Sequence, residues 1–148
     1  MNQNDVEQMN CPLQVTQELI GGKYKVSILF HLMEGRKRFS QLKKDIPQAS
    51  GKMLSQQLKE MISDGLISKT VYPTVPVTTE YELTPYGKTL CPIVVAMYRW
   101  GEVFFNAQKR TWTCSDADVD AWAEKNAVSE EEAASIISAQ AEAMKENH

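Results

Sequence analysis

The chain is short of cysteine, histidine and long apolar runs, and each shortage excludes a class of function. Its three cysteines, Cys11, Cys91 and Cys114, are odd in number and far apart, which fits neither a secreted disulfide framework nor a zinc ribbon with its CxxC pairs. They read as thiols. No apolar stretch approaches the roughly 18 residues needed to span a bilayer. The opening "MNQNDVEQMN" lacks the basic and apolar regions of a signal peptide. A cytoplasmic protein that does not enter membranes is expected. The two histidines are His31, inside a helical stretch, and His148, at the terminus. Neither stands in a Cys/His/Asp cluster with metal-ligand spacing, and the phosphate-cradling patterns G-x-x-x-x-G-K-[ST] and G-x-G-x-x-G are absent. No enzymatic activity, cofactor or metal is expected.

Acidic residues are also scarce over most of the chain. The net charge of -3 argues against a polyanionic partner only until it is divided by position. From Cys11 to Arg110, fourteen Lys and Arg stand against eight acids, a balance of +6; beyond Arg110, two lysines stand against nine acids. A polyanion responds to the field within a Debye length of about 8–10 Å, so the basic segment outweighs the whole-chain value.

Hydrophobic periodicity then gives the element order. A first helix opens at Pro12, suited to the first helical position, and stops at Gly21-Gly22. "KYKVSILFHLMEG" places Val26, Leu29, Phe30 and Met33 on one face of a buried second helix. Ser40 is the expected cap of "QLKKDI", which Pro47 limits. Ser50 caps a helix that Gly65 ends. "LISKTVYPTVPVTTEYELT" alternates with a period of about two around Pro73 and Pro76, which predicts a hairpin with a proline-stiffened loop. Thr84-Pro85 opens a long apolar helix that Pro92 kinks or splits. Two more helices follow, one after "SDADVDAW" and one where Ser129 and Glu132 form a capping box. The fold class is α+β, mostly helical: a winged helix-turn-helix domain with an N-terminal helix, a two-stranded wing, a long following helix and extra C-terminal helices.

The helix after Ser50 carries the functional signal. Leu54, Leu58, Met61 and Ile62 form its apolar stripe, while Lys52, Ser55, Gln56 and Lys59 form an opposite row without a single acid. Solvated faces usually mix Glu with Lys at i,i+4 spacing. A recognition helix needs the acid-free alternative, because lysine donates to guanine, glutamine pairs with adenine, and a carboxylate there would face phosphates. These four residues are the expected base readers of double-stranded DNA. Arg36, Lys37, Arg38, Ser40, Lys43 and Lys44 are the expected phosphate contacts, which fix register without reading sequence.

"CPLQVTQELIGGKYKVSILFHL", "RFSQLKKDIP", "KMLSQQLKEMISDGLI", "VYPTVPVTTEYELTPYGKTL" and the Trp-Gly at 100–101 resemble, in order and spacing, the HxlR-type winged helix-turn-helix regulators of bacteria. The resemblance covers roughly residues 11 to 105. It implies a homodimeric transcription regulator whose N-terminal helix and post-wing helix form the dimer interface. Two departures stand out. Tyr24 replaces the family's usual tryptophan, and the wing tip at Val77, Thr78 and Thr79 lacks the arginine that the resemblance assigns to the minor groove. Lys69 and backbone amides are left to make wing contacts around Pro73, Pro76, Thr78 and Thr79.

Cys11 stands at the start of the first helix, where unpaired amides and the helix dipole favour an anion, so it is the candidate thiol sensor of electrophiles or oxidants. Some members of the resembled family sense through a cysteine at this position. Cys91 is expected to be buried and Cys114 exposed, with a bridge from Cys114 to Cys11 of the other subunit as an option. The domain reading is an arm over 1–10, a DNA-binding and dimerisation domain over 11–110 and an acidic helical extension over 111–148. In that extension Trp112, Trp122, Ile136 and Ile137 are expected to cover apolar surface. Two rival readings use the same scaffold: a protein-interaction module working through the acidic helices, and a regulator switched by an apolar small molecule at the dimer interface.

Overall fold

A computed structural model describes residues 1 and 3–146, so His148 lies outside the described residues. The chain forms α1 (Gln3–Glu7), α2 (Pro12–Ile20), α3 (Lys25–Leu32), β1 (Lys37–Arg38), α4 (Phe39–Asp45), α5 (Gly51–Ser63), β2 (Ile67–Tyr72), β3 (Thr78–Leu83), α6 (Pro85–Lys88), α7 (Cys91–Ala107), α8 (Val119–Lys125) and α9 (Glu130–Glu146). The arm thus contains a short helix that its polar sequence did not announce.

The core lies where α3, α4 and α5 converge on the sheet. Ile28, Leu29, Met33, Leu42, Leu54, Leu58 and Met61 are sealed from solvent there, with Ile46 and Ala49 filling the turn between α4 and α5. Burying such side chains stabilises by about 1.5–3 kcal/mol each. The sheet has three strands rather than the expected two, in the order β1-β3-β2, all antiparallel. Lys37 and Arg38 pair with Tyr81 and Glu80 on one side of β3, while β2 pairs from Ile67↔Leu83 to Tyr72↔Thr78 on the other. A two-residue strand has no period to detect, and its strand geometry comes from β3.

Capping sets the boundaries. Ser50 Oγ accepts from the Met53 amide at 3.1 Å. At the other end of α5, the Gly65 amide donates to Ile62 and the Leu66 amide to Met61, with Gly65 at φ +78°. This is the paired bond pattern of a glycine helix stop. Thr84 Oγ1 donates to the Gly65 carbonyl at 2.6 Å and accepts from the Gly87 amide at 3.0 Å, tying the end of α5 to the start of α6. A Cβ on Gly87 would stand 2.1 Å from the Leu66 carbonyl oxygen, so that packing requires glycine. Ser40, the expected cap, is instead the second helical residue of α4. Arg38 holds the cap position, and its amide donates to Gln41 Oε1 at 2.8 Å. The helix after the wing splits into α6 and α7, with Pro92 in the first turn of α7.

One buried polar residue locks α5 in place. Gln57 lies on the buried side of α5, and its Oε1 accepts from the Tyr24 amide at 2.8 Å. The Tyr24 hydroxyl donates to the Gln48 carbonyl at 3.1 Å, so the α2–α3 turn is bonded both to the α4–α5 connection and to the middle of α5. Gln57→Ala strands the Tyr24 amide and opens a gap. Chemical denaturation is expected to show a loss of about 1–3 kcal/mol, whereas an unchanged midpoint would show that water replaces the glutamine.

Candidate DNA-binding interface

Both ends and the buried side of α5 are fixed, which leaves one side facing solvent. Lys52, Ser55, Gln56 and Lys59 are all exposed on it. None of the three lysines Lys44, Lys52 and Lys59 makes an ion pair with another described residue. Glu60, beside the row, is neutralised: Lys25, buried, places Nζ 2.8 Å from its Oε2, and that bond holds the Glu60 carboxyl below its usual range. Gln56 Nε2 approaches Glu60 Oε1 at 3.4 Å, a weak contact that a base edge can replace.

The basic residues around α4 divide into two groups. Arg36 and Lys37 are occupied by protein carboxylates. Arg36 donates to Tyr72 Oη and Glu82 Oε1, both at 3.0 Å. Lys37 contacts Asp45 at 2.6 Å and Glu34 at 2.8 Å; burial pulls its pKa down, but those bonds outweigh it and leave it raised. Arg38, Ser40 and Lys44 are exposed, Arg38 with only a long ion pair from Nε to Glu80 Oε1 at 3.9 Å, and Lys43 is half-buried with Nζ 3.5 Å from the Pro47 carbonyl. Lys69 is exposed on β2, Pro73 and Pro76 lie in the exposed wing loop, and Thr78 and Thr79 are half-buried at the start of β3. Thr78 Oγ1 is 3.1 Å from Thr74 Oγ1 across the loop.

Two further features frame this surface. On α7, Ile93, Met97, Trp100, Val103 and Phe104 are exposed, Trp100 to 71%, at the i, i+4, i+7, i+10 and i+11 spacing of one helical stripe. Leu13 on α2 is exposed as well. The C-terminal segment docks behind α3: Asn126 Nδ2 donates to the Met33 carbonyl at 2.8 Å and Lys125 Nζ to the Glu34 carbonyl at 2.7 Å. These bonds satisfy carbonyls at a helix end. Trp122 packs half-buried against Phe30, their centroids 5.2 Å apart. Ile137 remains exposed, and no described residue of α9 is buried.

Of the cysteines, Cys11 is exposed at the cap position of α2, where its side chain makes no capping bond. Cys91 is buried, which pushes its thiol up to about 11. Cys114 is half-buried rather than exposed, and burial raises its thiol too. Its carbonyl accepts from the Tyr98 hydroxyl, on which Trp112 Nε1 donates in turn.

A trihelical core with a short inter-helix turn, a solvent-facing side of its last helix and a sheet directly after it defines a winged helix-turn-helix domain. The model of the HxlR-like helix-turn-helix family matches residues 19–109, and the chain belongs to that family. It is similar to the helix-turn-helix-type transcriptional regulators YdeP and YtcD of Bacillus subtilis. YdeP is 44% identical over 94 residues, 64% of this chain and 73% of that protein; YtcD is 45% identical over 97 residues, 66% and 77%. Among solved structures, the redox regulator HypR in its oxidised form aligns with a TM-score of 0.61 at 42% identity, over 63% of this chain and 96% of that one. Diamide-treated YodB from Bacillus subtilis aligns at 0.53 and 34% identity, over 66% and 97%. Among the described residues, no helix is long and apolar enough to cross a membrane.

Proposed function

We propose that this helix-turn-helix regulator is a cytoplasmic homodimer that binds a pseudo-palindromic DNA operator, with α5 of each protomer in the major groove. Residues 11–110 form the DNA-binding and dimerisation unit, and 111–148 an appended helical extension. The observation that carries the reading is the acid-free, exposed row of Lys52, Ser55, Gln56 and Lys59 on a helix whose other side is sealed. Lysine and glutamine at such positions read base edges. Arg38, Ser40, Lys43, Lys44 and Lys69 contact phosphates, Arg38 by giving up its long pair with Glu80, whereas Arg36 and Lys37, held in close ion pairs, shape the sheet and α4. The exposed apolar stripe of α7, with Leu13, is the dimer surface; two-fold pairing there sets half-sites about 34–36 Å apart or a multiple of that spacing.

Two substitutions separate base reading from phosphate contact. Gln56→Ala is expected to relax preference at one base position in each half-site, costing about 1–3 kcal/mol on the cognate duplex. Lys43→Ala is expected to weaken cognate and random duplexes alike and to reduce the salt slope by about one unit. Titration of a labelled duplex at several salt concentrations reads both. Identical losses on cognate and random DNA for the two variants would overturn the groove assignment.

Thiol sensing is a second reading, favoured by the exposed position of Cys11 at the start of α2 and by likeness to the redox regulator HypR. Cys11 is the sensor in this reading, since Cys91 is enclosed and Cys114 half-enclosed. The expected result is that a maleimide labels Cys11 first, faster than an unstructured peptide cysteine, and that oxidation changes operator affinity in the native chain but not in Cys11→Ser. A Cys11 that reacts no faster than the peptide removes this reading and leaves DNA binding intact.

A further inference from the structure

The C-terminal segment does more than cover α3, because it leaves an internal trough between itself and the helix-turn-helix. Two clefts meet there. One, of about 310 Å³, is walled by Phe30, Val94, Met97 and Tyr98. The other, of about 400 Å³, opens toward Lys44, Ala117 and Trp122. Both share His31 and Asp45 on one wall and Thr113 and Cys114 on the other, so they form one elongated space with an apolar end and a polar middle. The volumes match the lower range of small-molecule sites. The wall from Thr113 to Trp122 lies beyond the matched family segment, which ends at residue 109; the trough belongs to this chain's own extension.

We infer that the trough binds a small, flat, uncharged aromatic bearing one hydroxyl group. The charged residues beside His31 largely neutralise one another: Lys37 is bonded to both Asp45 and Glu34. A charged ligand would have to compete with that network. The polar middle has a specific gap instead. His31 Nδ1 lies 3.8 Å from Asp45 Oδ2, and the His31 side chain is 14% exposed. That separation is too long for a direct hydrogen bond; an oxygen about 2.8 Å from each atom bridges them from the trough side, sharing Asp45 Oδ2 with Lys37 Nζ, which lies at 2.6 Å. A hydroxyl there donates to the Asp45 carboxylate and accepts from a neutral His31 that carries its proton on Nδ1. Burial favours that neutral form by lowering the imidazole pKa, against the pull of Asp45. The ring attached to the hydroxyl then lies at the end bounded by Val94, Met97 and Tyr98, against the edge of the stacked Phe30–Tyr98 pair.

The test is fluorine NMR on the full chain with 4-(trifluoromethyl)phenol as probe and 4-(trifluoromethyl)toluene as its hydroxyl-free counterpart. The expected result is saturable binding of the phenol, with the toluene at least about ten-fold weaker, because a site arranged for a hydroxyl rejects the analogue that leaves its polar groups unpaired. Ser27→Trp and Ala117→Trp, which fill opposite ends of the trough, are expected to abolish the phenol signal. If either variant fails to fold, cross-relaxation from the phenol to the Tyr98 and Trp122 ring protons of the unaltered chain locates the probe instead. Equal binding of both probes, no saturable binding of the phenol, binding that survives trough filling, or cross-relaxation confined to other residues would each overturn the inference.

Discussion

Trp100→Asp is expected to convert the protein to a folded monomer and to weaken operator binding by about 10²–10⁴-fold. The tryptophan is 71% exposed and, among the described residues, stacks only on Phe104, centroid to centroid at 5.6 Å, so the protomer core gives up little. At a two-fold interface the substitution acts twice, placing two carboxylates in an apolar contact, and large aromatic residues near an interface centre carry a disproportionate share of its energy. The DNA effect follows from geometry. A dimer holds two half-sites at once, and the second contact benefits from a high effective concentration that a monomer lacks. Light scattering reads the mass and a duplex titration the affinity. A variant that remains dimeric would remove α7 from the interface.

Lys52→Glu combined with Lys59→Glu is expected to abolish detectable operator binding at physiological salt, a loss of at least about 10³-fold, without lowering thermal stability. Four charges per dimer change sign on the face that meets the polyanion. Ordinarily such an effect is confounded by unfolding, but here the sign of the stability change separates the two. Lys52 lies in the first turn of α5, which contains no acid, and a carboxylate there interacts favourably with the helix dipole by about 0.3–1 kcal/mol. Neither lysine pairs with a described acid that would be stranded. The wild-type helix therefore carries a cation where an anion would stabilise it more, as expected of a residue retained for a ligand. Lost binding with an unchanged or raised midpoint supports the assignment; binding that persists would place the ridge away from DNA.

How far the sequence reaches is clearest along α5. Its apolar stripe, its Ser50 cap and its Gly65 stop all depend on neighbours within eight residues, and the structure keeps all three. Gln57 was missed although it sits three residues from Leu54 and four from Met61, on the buried side; its position was legible, but its partner, the Tyr24 amide, is 33 residues away. The same distance problem hid the state of the basic run. Nothing local distinguishes Arg36 and Lys37 from Arg38 and Lys44, yet β3 brings Glu82 to within 3.0 Å of Arg36 and leaves Arg38 only a 3.9 Å pair with Glu80, and the turn of α4 brings Asp45 to Lys37. β1 is too short to have a period. The anchoring of α8 on α3 by Asn126 joins residues 93 apart, beyond any pattern within one element.

The central claim, that α5 lies in the major groove, is tested most directly by methylation interference on a duplex selected from random sequence. Guanine N7 faces the major groove, so its methylation blocks only contacts made there. The expected result is interference in two patches about one helical turn, or a multiple of it, apart, with Gln56→Ala altering the pattern inside each patch. Undiminished binding to the methylated duplex, together with competition from a minor-groove ligand, would contradict it.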